Sequence, residues 1–135
     1  MINKPNIEPW FPEDLTVVED LELGKLLTLY TLWKNYSAYQ VALVEGNLLK
    51  LKERLKIEKA KELIKLNNSD LKDIYKAKED REAYVLQLDH IASLSIEVAN
   101  FTAEFKLEES VNGIFNDRYT VTSREISRRV ANWGN

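Results

Sequence analysis

The segment from Leu23 to Asn67 constrains the fold more than any other part of this sequence. It runs for 45 residues without a proline, and its apolar residues recur at the spacing that places side chains on one face of an α-helix. A helix of that length measures roughly 65 Å, whereas a compact domain of this chain length has a radius of gyration of only ~14 Å. The sequence therefore predicts an elongated helical protein. Two apolar stripes follow the helix, one formed by Leu26, Leu29, Trp33, Tyr36 and Leu43 and the other by Val41, Val44, Leu48, Leu51 and Leu55.

An elongated helix with two apolar stripes has to bury one of them against another chain. The first half of this helix is apolar almost all round, and a helix that is apolar on every side is buried on every side. We therefore expect a homo-oligomer. The expected interface consists of large apolar residues of the two long helices, namely Leu26, Tyr30, Trp33, Tyr36, Phe101 and Phe105.

Length and composition favour a single all-α domain over residues 1–135. The chain has 44% hydrophobic and 30% charged residues, which is typical of a folded protein rather than a disordered one. It has only 4 glycines, and its 3 prolines all lie at or before Pro12. It has no cysteine, no apolar leader and no run of about 18 apolar residues, so we expect neither disulfides nor a membrane span.

The expected architecture is a long antiparallel helical hairpin between an extended N-terminal segment and a short C-terminal helix. Residues 1–19 are expected to form the extended segment, an acidic arm. They are expected to be extended because each proline disfavours helix in the residue before it. Helix 1 covers residues 20–67 and helix 2 covers residues 70–116. Between them the polar sequence from Asn67 to Asp70 offers a helix cap on each side of a tight turn.

The expected end of helix 2 depends on Gly113, Asn116 and Asp117, which are poor helix formers. The β-branched segment that follows is expected to be extended. A capping-box pattern from Thr122 to Glu125 then predicts the C-terminal helix at residues 122–133. Within helix 1, Gly46 leaves three alternatives open: a kink, a close helix crossing or a break.

The residues for most enzymatic chemistry are absent, so no catalytic site is expected. His90 is the only histidine, and it lies among apolar residues, where a buried structural role is more common than a catalytic one. Without cysteine, and without an acid one helical turn from His90, a metal site lacks ligands. The glycines stand alone, so there is no phosphate loop or dinucleotide motif. We expect no metal and no cofactor.

Charge is strongly segregated along the chain, and this indicates a possible partner. The net charge is −3 overall, but residues 50–81 carry eleven Lys or Arg against seven Asp or Glu, a net of +4. Cations at intervals on a helical tip suit nucleic-acid phosphates, whereas interleaved acids suit an ordinary solvated face with ion pairs. Both interpretations stay open. The candidate nucleic-acid-binding residues are Lys52, Arg54, Lys56, Lys59, Lys61, Lys65, Lys72 and Lys76, and the same segment also contains Lys50, Lys78 and Arg81.

Two further sets of residues have two interpretations each. The aromatic residues Tyr30, Trp33, Tyr36 and Tyr39 are spaced for a core or a subunit interface, and less often such a set stacks on bases. The C-terminal arginines, Arg124, Arg128 and Arg129, suit either phosphate or the acidic N-terminal segment of a neighbouring chain.

The order of these features resembles the UvsY family of recombination mediators from large tailed phages. The features are an acidic start, Leu29-Tyr30-x-x-Trp33, a basic helix with Lys-Ala-Lys at 59–61, Asp80-Arg81 before a long apolar helix, and a basic C-terminal helix opening near Arg118.

The resemblance implies a small helical homo-oligomer that binds single-stranded DNA. Such proteins load a RecA-like recombinase onto strands coated by single-strand-binding protein, in the cytoplasm of an infected bacterial cell. The family's basic DNA contacts fall nearest to Lys56, Lys59 and Lys61. Two alternatives come from other classes. One is a phage structural or assembly protein (scaffold, neck or tail) without a nucleic-acid role. The other is a small regulator or inhibitor that grips another protein with its helices, with the acidic segment from Met1 to Leu23 as a mimic surface.

Overall fold

The computed structural model describes residues 1–133, and the fold-class prediction of an all-α protein is confirmed over that range. Three α-helices follow one another: α1 at Asp20–Asn67, α2 at Lys78–Gln87 and α3 at Asp89–Trp133. Two short 3₁₀ helices, Leu15–Val17 and Asp70–Asp73, precede α1 and α2 respectively.

Helix α1 spans the range predicted for helix 1 and continues through Gly46 without a break. Asp20 and Glu22 lie in its first turn, where acids are stabilised by the helix dipole. After α1, Ser69 caps the 3₁₀ helix Asp70–Asp73, because its Oγ accepts a hydrogen bond from the backbone N–H of Leu71 at 3.3 Å. Of the three alternatives for Gly46, the break is therefore excluded, and no atom of the described residues lies within 4 Å of a Cβ built on this glycine.

The structure divides the second half of the chain differently from the prediction. Instead of one helix over residues 70–116, a 3₁₀ turn and α2 come first, and the chain is extended at Leu88 before α3 begins. Arg81 fixes this arrangement, since its Nε donates to the carbonyl of Tyr75 at 2.6 Å and its Nη1 donates to Asn67 Oδ1 at 2.8 Å. Asp89 in the first turn of α3 supplies a favourable helix start.

The predicted break before a separate C-terminal helix at residues 122–133 is absent, because α3 continues to Trp133. Packing overrides the weak helix propensity of residues 113–117. Phe115 is only 5% exposed. Asn112 donates to the carbonyl of Lys34 at 3.1 Å and to Ser37 Oγ at 2.8 Å, so this turn of α3 is held against α1. The Thr122–Glu125 pattern therefore lies inside a helix and does not cap one.

The contacts group the described residues into two compact units. We call Met1–Leu43 with the α3 residues from Lys106 onward the terminal unit, and Val44–Phe105 the central unit. None of the helices within residues 1–133 combines the length and apolar character needed to cross a membrane.

The terminal unit packs α1 antiparallel against α3 and seats the N-terminal arm on both. Trp33 stacks on Phe115 with ring centroids 5.4 Å apart. The arm docks on its own chain: Trp33 Nε1 donates to the carbonyl of Ile7 at 2.9 Å, and the hydroxyl of Tyr30 donates to the carbonyl of Trp10 at 2.6 Å. Phe11 adds a stacked contact with Tyr30 at 5.8 Å. The core side chains of this unit include Leu23, Leu26, Leu29, Tyr30, Trp33 and Phe115.

A charged cluster closes the end of the terminal unit. Glu125 accepts hydrogen bonds from Arg128 at 2.6 and 2.9 Å and from Arg129 at 3.0 Å. Arg129 also donates to Asp20 at 2.8 Å and to the carbonyl of Leu15 at 2.9 Å, which ties α3 to the start of α1 and to the arm. The Arg128 hydrogen bond, helped by Arg129, lowers the pKa of Glu125 from 4.5 to about 2 against the opposing effect of burial.

This cluster makes the stability of the terminal unit sensitive to acid. Because the folded state lowers the pKa of Glu125, its contribution is complete above pH 4.5 and is lost as the pH falls toward about 2. We expect Glu125→Gln to lower the melting temperature at neutral pH, and we expect the difference from the wild type to shrink below pH 4.5. Thermal unfolding followed by circular dichroism, from neutral pH to below pH 4.5, measures this difference in melting temperature. Glu109→Gln, at an exposed position of α3, is the control; a deficit that stays constant with pH contradicts the assignment.

The central unit combines the second half of α1 with α2 and the start of α3. Its buried side chains are apolar, and the rings of Tyr75 and Tyr84 pack with centroids 4.9 Å apart. His90, expected to be buried, is instead half exposed, and its Nε2 lies 3.2 Å from Glu62 Oε1. The buried residues of this unit are Val44, Leu48, Leu66, Val85, Ile91 and Leu94.

Candidate nucleic-acid interface

The predicted nucleic-acid-binding residues all lie in the central unit, but the structure does not bring them onto one surface. With 3.6 residues per turn, the basic residues of α1 fall on either side of its buried stripe. We call Lys52, Lys56 and Lys59 the groove flank, because they share the side of α1 that faces α2. We call Lys50, Arg54, Lys61 and Lys65 the opposite flank.

The groove between α1 and α2 has an apolar floor and cationic walls. One hollow of about 310 Å³ is lined by Lys59 and Leu63 of α1 and by Glu82, Val85 and Leu86 of α2. A second hollow, of about 290 Å³, shares Leu63 and Glu82 with the first, so the two are adjacent. The second hollow is lined by Leu63, Asn67, Lys76, Lys78, Arg81 and Glu82. Four cations against one carboxylate make the groove positive.

Several segments position these cations. Lys59 is held by α1, and Lys78 is the first residue of α2, whose N-cap residue Ala77 makes no side-chain cap hydrogen bond. Lys76 lies in the connection between the 3₁₀ turn and α2. Arg81 is already bound to Tyr75 and Asn67, so it shapes the groove more than it offers a free charge. Lys72 is exposed on the 3₁₀ turn and does not line the groove.

The opposite flank is partly neutralised by its own helix. Lys61 Nζ lies 3.5 Å from Glu58 Oε1, and Lys65 Nζ lies 3.3 Å from Glu62 Oε1. These are exposed i,i+3 pairs of the kind expected on a solvated helix face. Among residues 1–133, Lys52, Lys56 and Lys59 form no such pair. Lys50 and Arg54 of the opposite flank form no ion pair within this range either, so the interpretation as an ordinary solvated face fits Lys61 and Lys65 best.

The residues proposed for the oligomer interface fall into two groups. Leu26, Tyr30 and Trp33 are 1%, 0% and 8% exposed, because the arm and α3 of the same chain cover them. Side chains this deeply covered leave no surface for a second chain in this conformation. Tyr36, Phe101 and Phe105 are half-buried. The exposed apolar surface lies elsewhere on the long helices, at Leu32, Leu43, Ile57 and Ile64 of α1 and at Leu107, Ile114 and Val121 of α3.

The other candidate residues are used within the chain or have no ligand-like arrangement. Arg128 and Arg129 pair with acids of the same chain, whereas Arg124 is exposed. Over residues 1–133 no group of three His, Cys, Asp or Glu is placed to hold a metal ion. Sequence reasoning listed the cations but missed the apolar floor, since Leu63 and Leu86 meet only because α2 folds back on α1.

Comparison with the models of known protein families, with curated proteins and with solved structures finds no significant match for this chain.

Proposed function

We propose that this chain is a non-enzymatic, homo-oligomeric protein that binds single-stranded DNA and acts as a recombination mediator. The observation that supports the binding role is the pair of adjacent hollows lined by cations in the central unit, on a chain whose net charge is −3. An acidic protein with a separate basic surface can attract phosphates there while the rest of its surface repels them.

Assembly would strengthen such binding. One copy presents few free cations, and exposed single charges bind weakly at physiological salt. Copies that present the same groove side by side would raise the effective concentration of cations along one strand. The exposed apolar residues support assembly, because Leu107, Ile114 and Val121 recur every seven residues along α3 and remain 63%, 51% and 49% exposed.

The mediator role depends on the resemblance to the UvsY family. Under this proposal the protein loads a RecA-like recombinase onto strands coated by single-strand-binding protein, in the cytoplasm of an infected bacterial cell. The groove of the central unit bears on the DNA-binding step and not on either protein partner. The DNA-binding step is therefore the part of the proposal to test first.

Titration of a fluorescein-labelled oligothymidylate with the full chain, followed by anisotropy, tests the binding step. We expect saturable binding at low salt, with log affinity falling linearly as log salt concentration rises, by about 0.7 per phosphate contact. Sedimentation velocity on the same samples reports whether the bound species is an oligomer. Absence of binding at low salt by the assembled protein would remove the DNA role.

The exposed apolar residues of α1 and α3 also favour a second candidate, a phage structural or assembly protein. Monomeric proteins rarely expose contiguous apolar patches of large area, and such patches usually mark a protein interface. A scaffold, neck or tail component would bind other proteins through these exposed residues and would need no nucleic acid. Co-purification with virions, together with assembly that does not depend on salt or DNA, would favour this candidate over the mediator.

A further inference from the structure

We propose that an unpaired strand binds along the groove flank and into the groove between α1 and α2, and that the opposite flank takes no part. This inference depends on the proposed DNA-binding function and specifies its surface. It also predicts which kind of nucleic acid is bound, because the groove offers apolar as well as cationic contacts.

The path of the strand follows from the positions of the free cations. Lys52, Lys56 and Lys59 lie on one side of α1 over a rise of roughly 10 Å, and Lys59 is also part of the wall of the groove. The same groove continues to Lys76 and Lys78. The cations thus form one row from the middle of α1 to the start of α2. Cations spread along a path suit a chain of phosphates, whereas a single cluster would suit a small anion.

Competition with carboxylates excludes the opposite flank. A lysine that already pairs with a carboxylate loses part of its Coulomb attraction to a phosphate, and a strand that displaces the pair leaves the carboxylate beside it. Lys61 and Lys65 are in this position, through Glu58 and Glu62. Lys50 and Arg54 form no ion pair within residues 1–133, but with 3.6 residues per turn they lie on the side of α1 turned away from Lys59, so a strand in the groove does not reach them. In the groove Glu82 is the one carboxylate that lines the two hollows, and the cations Lys59, Lys76, Lys78 and Arg81 outnumber it there.

The apolar floor favours unpaired bases over duplex. Leu63, Val85 and Leu86 line the first hollow, and Leu86 is 48% exposed. A splayed base or a sugar can cover this apolar area, and burying it is favourable. In duplex DNA the bases are paired and stacked inside, so a duplex can offer the groove only its phosphates. The groove should therefore prefer single strands over duplex of the same sequence.

Two triple variants with equal charge change test the flank assignment. Lys52→Gln, Lys56→Gln and Lys59→Gln neutralise the groove flank, and Lys50→Gln, Arg54→Gln and Lys61→Gln neutralise the opposite flank. We expect the first triple to weaken oligothymidylate binding roughly tenfold or more and to lower the log–log salt slope by about 2, the value for three lost phosphate contacts. The second triple removes the same net charge and should stay within about threefold of wild type. Circular dichroism checks that both are folded.

A second pair of variants tests the apolar floor. Leu86→Gln should weaken single-strand binding without changing the salt slope, because no phosphate contact is lost. Ile64→Gln, at a residue of α1 that is 61% exposed and does not line the groove, is the matched control and should have no effect. Duplex of the same sequence is measured in parallel and should bind more weakly than the single strand.

The outcomes separate the flank assignment from the function itself. Equal losses from the two triples, or equal affinity for duplex and single strand, would overturn the groove path and leave DNA binding intact. No binding of either nucleic acid by the wild type would overturn both. If strand binding survives the first triple while binding of labelled oligoglutamate is lost, the groove takes an acidic peptide and the inference is wrong.

Discussion

Replacing Trp33 by alanine is expected to lower the free energy of unfolding by about 3–5 kcal/mol, the usual cost of removing a large aromatic side chain from a core. Trp33 is 8% exposed, stacks on Phe115 and meets Tyr36 edge-on at 6.0 Å. Its Nε1 also holds the arm at Ile7, so the variant should expose the N-terminal segment to protease as well. Urea unfolding followed by circular dichroism measures the free energy, and limited proteolysis follows the arm.

Trp133→Ala is the control for this result. Trp133 is 66% exposed, so its removal should change stability by no more than about 0.5 kcal/mol. The comparison also decides between the two interpretations of the aromatic set. If Trp33→Ala leaves the free energy of unfolding unchanged but dissociates the oligomer, Trp33 belongs to the subunit interface. That result would contradict the packing described above.

The sequence predicts a helix well where the apolar helical period continues without a proline or a cluster of turn residues. Between Leu23 and Asn67 no proline or turn cluster interrupts the apolar period, and α1 follows that pattern through Gly46. At residues 113–117 several weak helix formers occur together, yet α3 continues because Phe115 and Asn112 pack against α1. Helix propensity predicts the structure of these residues only weakly, and contacts with residues far away in sequence decide that they are helical.

The candidate site shows the same limit. Charge is a property of composition, so the basic segment could be found without a structure. Which of its lysines line the groove depends on where α2 packs, and α2 exists as a separate helix because the chain is extended at Leu88. The buried aromatics were similarly ambiguous, since an apolar helix face looks the same whether its own arm or a neighbouring chain covers it. Ile7 and Trp10 supply that cover here, from a segment that sequence could not place.

Replacing Gly46 and Gly113 together by alanine is expected to raise the free energy of unfolding of the dilute protein by about 2 kcal/mol, since glycine inside a helix costs 0.8–1.0 kcal/mol relative to alanine. Neither glycine has a positive φ, and a Cβ built on either one meets nothing within 4 Å. The two residues lie in different compact units, so their effects should add. Thermal and urea unfolding at low concentration measure the change.

Ala60→Gly, on the exposed surface of α1, is the reciprocal control and should lower stability by about 1 kcal/mol. No atom of the described residues lies within 4 Å of a Cβ built at either position, and in the proposed oligomer a helix of another copy could approach there. Gly46 shares a face of α1 with the exposed Leu43, and Gly113 adjoins the exposed Ile114. We therefore expect the double variant to be more stable as a monomer but to assemble less readily in sedimentation velocity. Undiminished assembly would show that neither glycine faces a neighbouring helix, and reduced monomer stability would show that the added methyl groups meet atoms of their own chain.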